Sequence, residues 1–182
     1  MAKSNMVTAV RQLNAKTLAL AACALATAFV LPISSVAKPN LDSTHGEWTV
    51  FVDEEGGKTC YAVSRPKAQS PNSLSWDPRM FITRGAITNG RDEPSVRAGY
   101  TYQDGSSATV SIGSDTFTLF TDNDGAWVNP EDAQSERQLV AAMKAGSTMI
   151  VKGTSARGNL TTDTYSLSGV TAAVNRINEL CP

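Results

Sequence analysis

SATVSIGSDTFTLFT, the stretch from Ser107 to Thr121, decides the fold class. A central Gly113-Ser114-Asp115 segment divides it into two runs in which apolar and polar residues alternate. An alternation with a period of two places every second side chain on one face of a strand, so each run predicts a half-buried strand. The short glycine-containing turn between the runs predicts an antiparallel hairpin. The apolar positions are Ala108, Val110, Ile112, Phe117 and Leu119.

Short stretches of the same character recur on both sides of this hairpin, separated by clusters of Gly, Asn, Asp and Pro. This spacing is typical of an all-β domain. We predict a mainly β fold, an antiparallel β-sandwich or open barrel of about eight strands. The further predicted strands are Trp48–Val52, Thr59–Ser64, Arg79–Thr88, Ser95–Tyr102, Ala126–Val128, Thr148–Thr154 and Leu160–Leu167.

Two helices are predicted among the strands. The first starts at Pro130 and Glu131, with Asn129 as its cap, and ends at Gly146. The second runs from Val170 to Leu180 with Ser168 as its cap, and we expect its apolar stripe to pack on the sheet. That stripe is Val170, Ala173, Val174, Ile177 and Leu180, whereas Asn175, Arg176 and Glu179 lie on the opposite face, which we expect to face solvent.

Residues 1–37 have the three-part pattern of a secretory signal peptide. A basic segment without acids precedes the apolar run Thr17–Leu31, and small residues occupy the positions before Lys38. The run is shorter than the roughly 20 residues that a membrane-spanning helix needs, although a retained anchor is an alternative. The motif ending at Cys23 resembles a lipoprotein processing site, but the apolar run continues beyond it. We therefore divide the chain into a signal peptide (1–37), a flexible leader (38–44) and a single β-rich domain (45–182).

Cleavage is expected between Ala37 and Lys38, because Ser35 and Ala37 are small enough for the pockets of a signal peptidase. Mass spectrometry of the exported protein should give a chain that begins at Lys38. A diacylglycerol-modified Cys23 at the amino terminus would contradict this prediction.

The charge balance argues against a nucleic-acid partner. Three of the 16 Lys and Arg residues precede Lys38, whereas all 17 acids follow Ala37, so the exported part carries 13 − 17 = −4. A nucleic-acid-binding surface requires clustered basic residues, which are missing here. We expect contact with the membrane only through the transient signal peptide.

Two cysteines, Cys60 and Cys181, remain after removal of the signal peptide. An even number of cysteines in an exported protein favours a disulfide, with two free buried thiols as the alternative.

The residues with side chains suited to catalysis or metal binding do not form a recognisable active-site or metal-site motif in the sequence. His45 is the only histidine, so a nucleophile–histidine arrangement could use no other, and we interpret it as a solvated residue. Asp122–Gly125 could be part of a calcium loop but lacks the full spacing, so a hairpin turn is favoured. Gly153–Gly158 could hold an anion, but a turn between two strands is again favoured. We predict no catalytic residue, no metal and no cofactor.

Several segments resemble the invasion-associated locus B family of exported alphaproteobacterial proteins. They are Gly46-Glu47-Trp48-Thr49-Val50, Cys60, Met149–Gly153, Asp163–Ala173 and Cys181, in this order. The resemblance implies an exported, non-enzymatic β-rich domain of the cell envelope, and some members are linked to the invasion of host cells. The resemblance implies no catalytic residues, and the segment Arg65–Pro94 matches no pattern of the family.

The resulting hypothesis is an exported envelope protein with a binding role in the periplasm or at the cell surface. Its expected partner is an envelope or host-surface protein or a glycan. Two alternatives stay open: a small periplasmic hydrolase that uses His45 or carboxylates, and a periplasmic inhibitor that presents the Arg65–Pro78 connection as a rigid loop.

Overall fold

A computed structural model describes residues 38–182. The predicted signal peptide, with Cys23 and the small residues before the cleavage site, lies outside the described residues. Within 38–182, no helix combines the length and the apolar character needed to cross a membrane.

Eleven strands form one sheet in which every pair is antiparallel. The sheet order is β1-β2-β3-β5-β6-β9-β8-β7-β10-β11-β4. The mainly β prediction is confirmed, with more strands than the eight expected. The strands are β1 (Asn40–His45), β2 (Trp48–Asp53), β3 (Thr59–Ser64), β4 (Ala68–Ser70), β5 (Arg79–Gly85), β6 (Glu93–Arg97), β7 (Ser107–Ile112), β8 (Asp115–Asp122), β9 (Gly125–Trp127), β10 (Thr148–Thr154) and β11 (Leu160–Ser166).

The sheet curls so that its two ends meet, but it does not close into a barrel. The indole Nε1 of Trp48 in β2 donates to the backbone oxygen of Ser166 in β11, at 3.2 Å. The backbone nitrogen of Glu47 donates to Ser168 O at 3.0 Å. These contacts join two strands that are far apart in the sheet order, although no β-ladder pairs them. The architecture is therefore an open barrel around one core.

The hairpin Ser107–Thr121 behaves largely as its alternation predicts. Ala108, Val110, Ile112 and Leu119 are buried in the core, whereas Phe117 is half-buried at its margin. The strands β7 and β8 pair in register from Ser107↔Phe120 to Ile112↔Asp115.

The expectation of a flexible leader over residues 38–44 is wrong from Asn40 onward. Asn40–His45 forms β1, which pairs with β2 at the edge of the sheet. Its Asp42 accepts two hydrogen bonds from the Arg176 guanidinium, at 2.8 and 2.9 Å, and this holds the pKa of Asp42 down at about 2. The strand is polar because it is an edge strand whose single apolar side chain, Leu41, faces solvent.

Helix α1 spans Ala133–Ala145 and begins later than predicted. Its cap is Asp132, which accepts from the Ser135 nitrogen at 2.9 Å, whereas the side chain of Asn129 accepts from the nitrogen of Glu131 in the preceding turn. Gly146 ends the helix as expected.

Helix α2 spans Val170–Leu180, as predicted, and packs on the sheet. Four residues of its apolar stripe are buried and Leu180 is half-buried. The cap is Gly169 rather than Ser168, with a φ of 92°. A Cβ at this position would collide with the carbonyl of His45, so the close approach of β1 to the start of α2 requires glycine.

The disulfide between Cys60 and Cys181 is confirmed. It joins β3 to the residue after α2 with a Cα–Cα distance of 6.0 Å, and both cysteines are buried. The Arg84 Nε of β5 donates to the backbone oxygen of Cys181 at 2.8 Å. This hydrogen bond also holds the residue after α2 against the sheet.

Candidate functional site

The Arg65–Pro78 connection is folded against the sheet rather than extended into solvent. Its β4 segment pairs with β11, and Gln69 Nε2 donates to the backbone oxygen of Trp76 at 3.3 Å. The Trp76 indole Nε1 donates to Asp163 Oδ1 of β11 at 3.0 Å. These contacts hold Trp76 beside β11, and residues 73–76 form a wall there.

The Gly153–Gly158 segment comprises the end of β10 and the turn that leads to β11, so the turn favoured from the sequence is present after Thr154. The Gly158 nitrogen donates to Ser155 O at 2.8 Å, and the Ala156 nitrogen donates to Thr101 O at 2.8 Å. The turn is thereby attached to the Tyr100–Tyr102 segment, and Arg157 at its tip is exposed.

The two segments face each other across Tyr100 and Thr101 and enclose an open cleft of about 520 Å³. Its lining combines two aromatic rings with hydroxyl, amide and guanidinium groups. The residues that provide these groups include Ser73, Ser75, Trp76, Tyr100, Thr101, Arg157 and Asn159.

The aromatic floor of the cleft consists of the Trp76 and Tyr100 rings, which are held by hydrogen bonds to side chains of β11. The Trp76 and Tyr100 rings meet edge to face, with centroids 6.1 Å apart. The Tyr100 hydroxyl lies 2.6 Å from Thr161 Oγ1, which itself donates to Gly153 O at 3.3 Å, so Tyr100 is the donor of the first bond. A Cβ at Gly153 would lie 2.5 Å from the Tyr102 ring, so glycine is needed for this packing.

Asp163 lies under the floor and is 2% exposed. Burial raises the pKa of this carboxyl to about 6, against the opposing hydrogen bonds from Trp76 and Gln69. Burial also raises the pKa of Tyr102 and Tyr165, the buried tyrosines beside it. Asp163 is therefore a buried carboxyl whose pKa lies well above its ordinary value.

Replacing Asp163 with asparagine should change how stability depends on pH. The folded-state pKa of Asp163 is raised, so the contribution of this residue to stability is greatest below about pH 4 and falls as the pH rises from the ordinary value of 3.8 to about 6. The loss should reach about 3 kcal/mol above pH 6. Asp163→Asn keeps an acceptor for Trp76 and removes the charge, so it should be more stable than the native chain at pH 7.5 and lose this advantage at pH 4. Urea denaturation at both pH values checks this; a constant difference between the two proteins would contradict it.

His45 lies on β1 and is half-buried, contrary to its interpretation as a solvated residue. Its Nε2 is 3.0 Å from the Ser43 hydroxyl, which donates to Asp42 at 2.7 Å, so the imidazole must donate to the serine. Asp42 thus bonds the serine and Arg176 instead of orienting the imidazole. This arrangement lacks the proton-accepting nitrogen that a serine nucleophile requires.

Asp122–Gly125 forms the turn between β8 and β9, as favoured from the sequence. Asp124 pairs with Arg97, and its backbone oxygen accepts from Ala98 at 2.8 Å. Across residues 38–182, no three His, Cys, Asp or Glu side chains converge as metal ligands would.

The family model described as the invasion associated locus B (IalB) protein matches residues 48–178. This range exceeds two thirds of the chain and contains both walls of the cleft. The chain belongs to the invasion associated locus B family. The family is not a known enzyme family.

The IalB fold is also found in the crystal structure of invasion associated protein B from Bartonella henselae. The two structures have a TM-score of 0.55 and 13% sequence identity, over 79% of this chain and 98% of that chain. At this identity the likeness concerns the fold alone. A search of curated proteins finds no match.

The sequence did not reveal the cleft of this IalB protein, because its parts are far apart along the chain. Trp76 lies in a connection rich in proline and serine, where a large aromatic residue is a signal that could have been used. Asp163 belongs to a segment that carries the family resemblance, but its neighbours in β11 are polar, so its burial was not visible.

Proposed function

We propose that this IalB protein is an exported, non-enzymatic binding protein of the cell envelope, acting in the periplasm or at the cell surface, and that it holds its partner in the cleft. The observation that carries the proposal is the cleft itself. Two segments outside the main hydrophobic core converge there on a fixed aromatic floor.

The polar groups of the cleft support a binding role. The side chains of Ser73, Ser75, Thr101, Arg157 and Asn159 form no hydrogen bond with another residue of the described chain. Their hydrogen-bonding capacity is open to a partner, whereas the groups beneath them are bonded to one another. A rigid floor with free polar groups around it is the usual composition of a ligand site.

The alternatives receive less support from the same contacts. A hydrolase that uses His45 would need the imidazole to accept a proton from Ser43, but the imidazole donates to that hydroxyl. An inhibitor loop would present the Arg65–Pro78 connection outward, but this segment is bonded to β11 and forms a cleft wall. A role in the invasion of host cells is the hypothesis that the family brings, and a deletion strain tests it directly.

Photocrosslinking in intact cells tests the proposal. A benzophenone side chain is placed at Ser75, which is exposed in the cleft, and in a matched control at Lys152, which is exposed on β10. We expect a defined adduct in the envelope fraction from position 75 and none from position 152. No adduct from position 75, or the same adduct from both positions, would contradict the proposal.

A further inference from the structure

We propose that the cleft binds a saccharide unit that carries a carboxylate. This inference rests on the function proposed above and specifies the chemical class of the ligand. Three properties of the cleft lead to it: the state of its aromatic rings, its free polar groups and its charge.

The aromatic rings present carbon faces rather than polar atoms. The Trp76 nitrogen is engaged with Asp163, and the Tyr100 hydroxyl is engaged with Thr161. Both residues are half-buried, so part of each ring borders the cleft. Rings whose polar atoms are already bonded can offer a ligand only stacking and apolar contact, and the C–H face of a pyranose ring suits such a surface.

The free polar groups match a hydroxyl-rich ligand. Ser73, Ser75 and Thr101 each offer a hydroxyl that can donate or accept, and the Asn159 amide offers both donors and an acceptor. Sugar hydroxyls likewise donate and accept, so they can pair with each of these groups. The cleft volume of about 520 Å³ is within the roughly 300–1,000 Å³ that ligand sites occupy, which leaves room for a disaccharide.

The charge of the cleft selects an anion. Arg157 is the only charged residue that lines it, and it has no ion-pair partner within residues 38–182. A guanidinium group binds a carboxylate through two parallel hydrogen bonds. The single unpaired cation fits a monoanionic carboxylate better than a doubly charged phosphate. Asp163, the acid beneath the floor, is buried under Trp76 and does not line the cleft.

Acidic sugars can come from two sources, the bacterial envelope and the surface of a host cell. Calorimetry of the exported chain, purified after secretion, can compare them. The envelope probe is the disaccharide of N-acetylglucosamine and N-acetylmuramic acid, with chitobiose as its neutral counterpart. The host-surface probe is sialyllactose, with lactose as its neutral counterpart.

We expect at least one acidic probe to bind at least about tenfold more tightly than its neutral counterpart, since a charge-assisted hydrogen bond contributes about that factor or more. Arg157→Gln should abolish this preference. Arg137→Gln, which changes an exposed arginine on α1, should leave it unchanged. Which acidic probe binds identifies the source of the ligand.

Two results would overturn the inference: equal binding of acidic and neutral probes, or a preference that survives in Arg157→Gln. Absence of binding by all four probes would also refute the ligand class. If position 75 still captures a partner in cells, the proposed function stands without this ligand; if neither experiment succeeds, both proposals fail.

Discussion

Replacing Cys181 with serine should lower the free energy of unfolding by about 4 kcal/mol. The disulfide joins residues that are 121 positions apart, and cross-linking so long a loop removes much of the conformational entropy of the unfolded chain. For a domain of this size the melting temperature should fall by about 10 °C. The strand order should not change, because nine of the eleven strands contribute residues to the core that contains Cys60.

Calorimetric melting of the native chain, with and without a reductant, provides the control for Cys181→Ser. The reduced native chain should melt near the temperature of the variant, and the reductant should not affect the variant. In the native chain without its predicted signal peptide, and so without Cys23, no thiol should react with an alkylating reagent when the protein is denatured but not reduced. Two reactive thiols in that sample would contradict the disulfide.

Ile177→Ala should cost about 2–5 kcal/mol of stability. Ile177 is 0% exposed on the face of α2 that packs against the sheet, and truncating it leaves a cavity that this contact cannot easily close. Part of the loss is the removal of buried apolar surface, and the remainder is the empty volume. Urea denaturation at a fixed pH gives the magnitude.

Asn175→Ala is the matched control for Ile177→Ala. Asn175 lies on the exposed face of the same helix, and alanine has the higher helix propensity, so stability should stay the same or rise slightly. A loss as large as that of Ile177→Ala would show that the helix packs through another face. An unchanged stability in Ile177→Ala itself would show that α2 does not cover the core.

The elements that the sequence predicted correctly are those with a repeated hydrophobic pattern. The Ser107–Thr121 hairpin alternates with period two, and Val170–Leu180 has apolar residues at helical spacing, so each pattern states which face is buried. The disulfide could be predicted because only two cysteines, Cys60 and Cys181, follow the predicted signal peptide. Arg176 differs from its expected role on a solvent-facing surface, because it pairs with Asp42 of a strand that was not foreseen.

The elements that were missed have no such pattern. The strands β1 and β4 are polar and lie at the two edges of the sheet, so they bury little and are held by backbone hydrogen bonds. Backbone pairing depends on which strand is adjacent, and the sequence of an edge strand does not encode its neighbour.

The cleft was missed for a related reason. Trp76, Tyr100 and Arg157 come from three connections that meet only after the sheet has curled. The connections that carry Trp76 and Arg157 were predicted as loops, whereas Tyr100 was assigned to the predicted strand Ser95–Tyr102, although β6 ends at Arg97. The convergence of the three residues depends on the sheet order and on the buried bond between Trp76 and Asp163.

Fluorine NMR of the chain without its predicted signal peptide, labelled with 5-fluorotryptophan, tests most directly whether the cleft binds the proposed partner. The three tryptophans report on three places: Trp48 in the core, Trp76 in the cleft and Trp127, stacked on Phe120, on the outer face of the sheet. Single Trp→Phe changes assign their resonances. On addition of solubilised envelope material, we expect the Trp76 resonance to shift or broaden while the Trp48 and Trp127 resonances do not change. A response of Trp127 with none at Trp76 would place the partner on the outer face and contradict binding in the cleft.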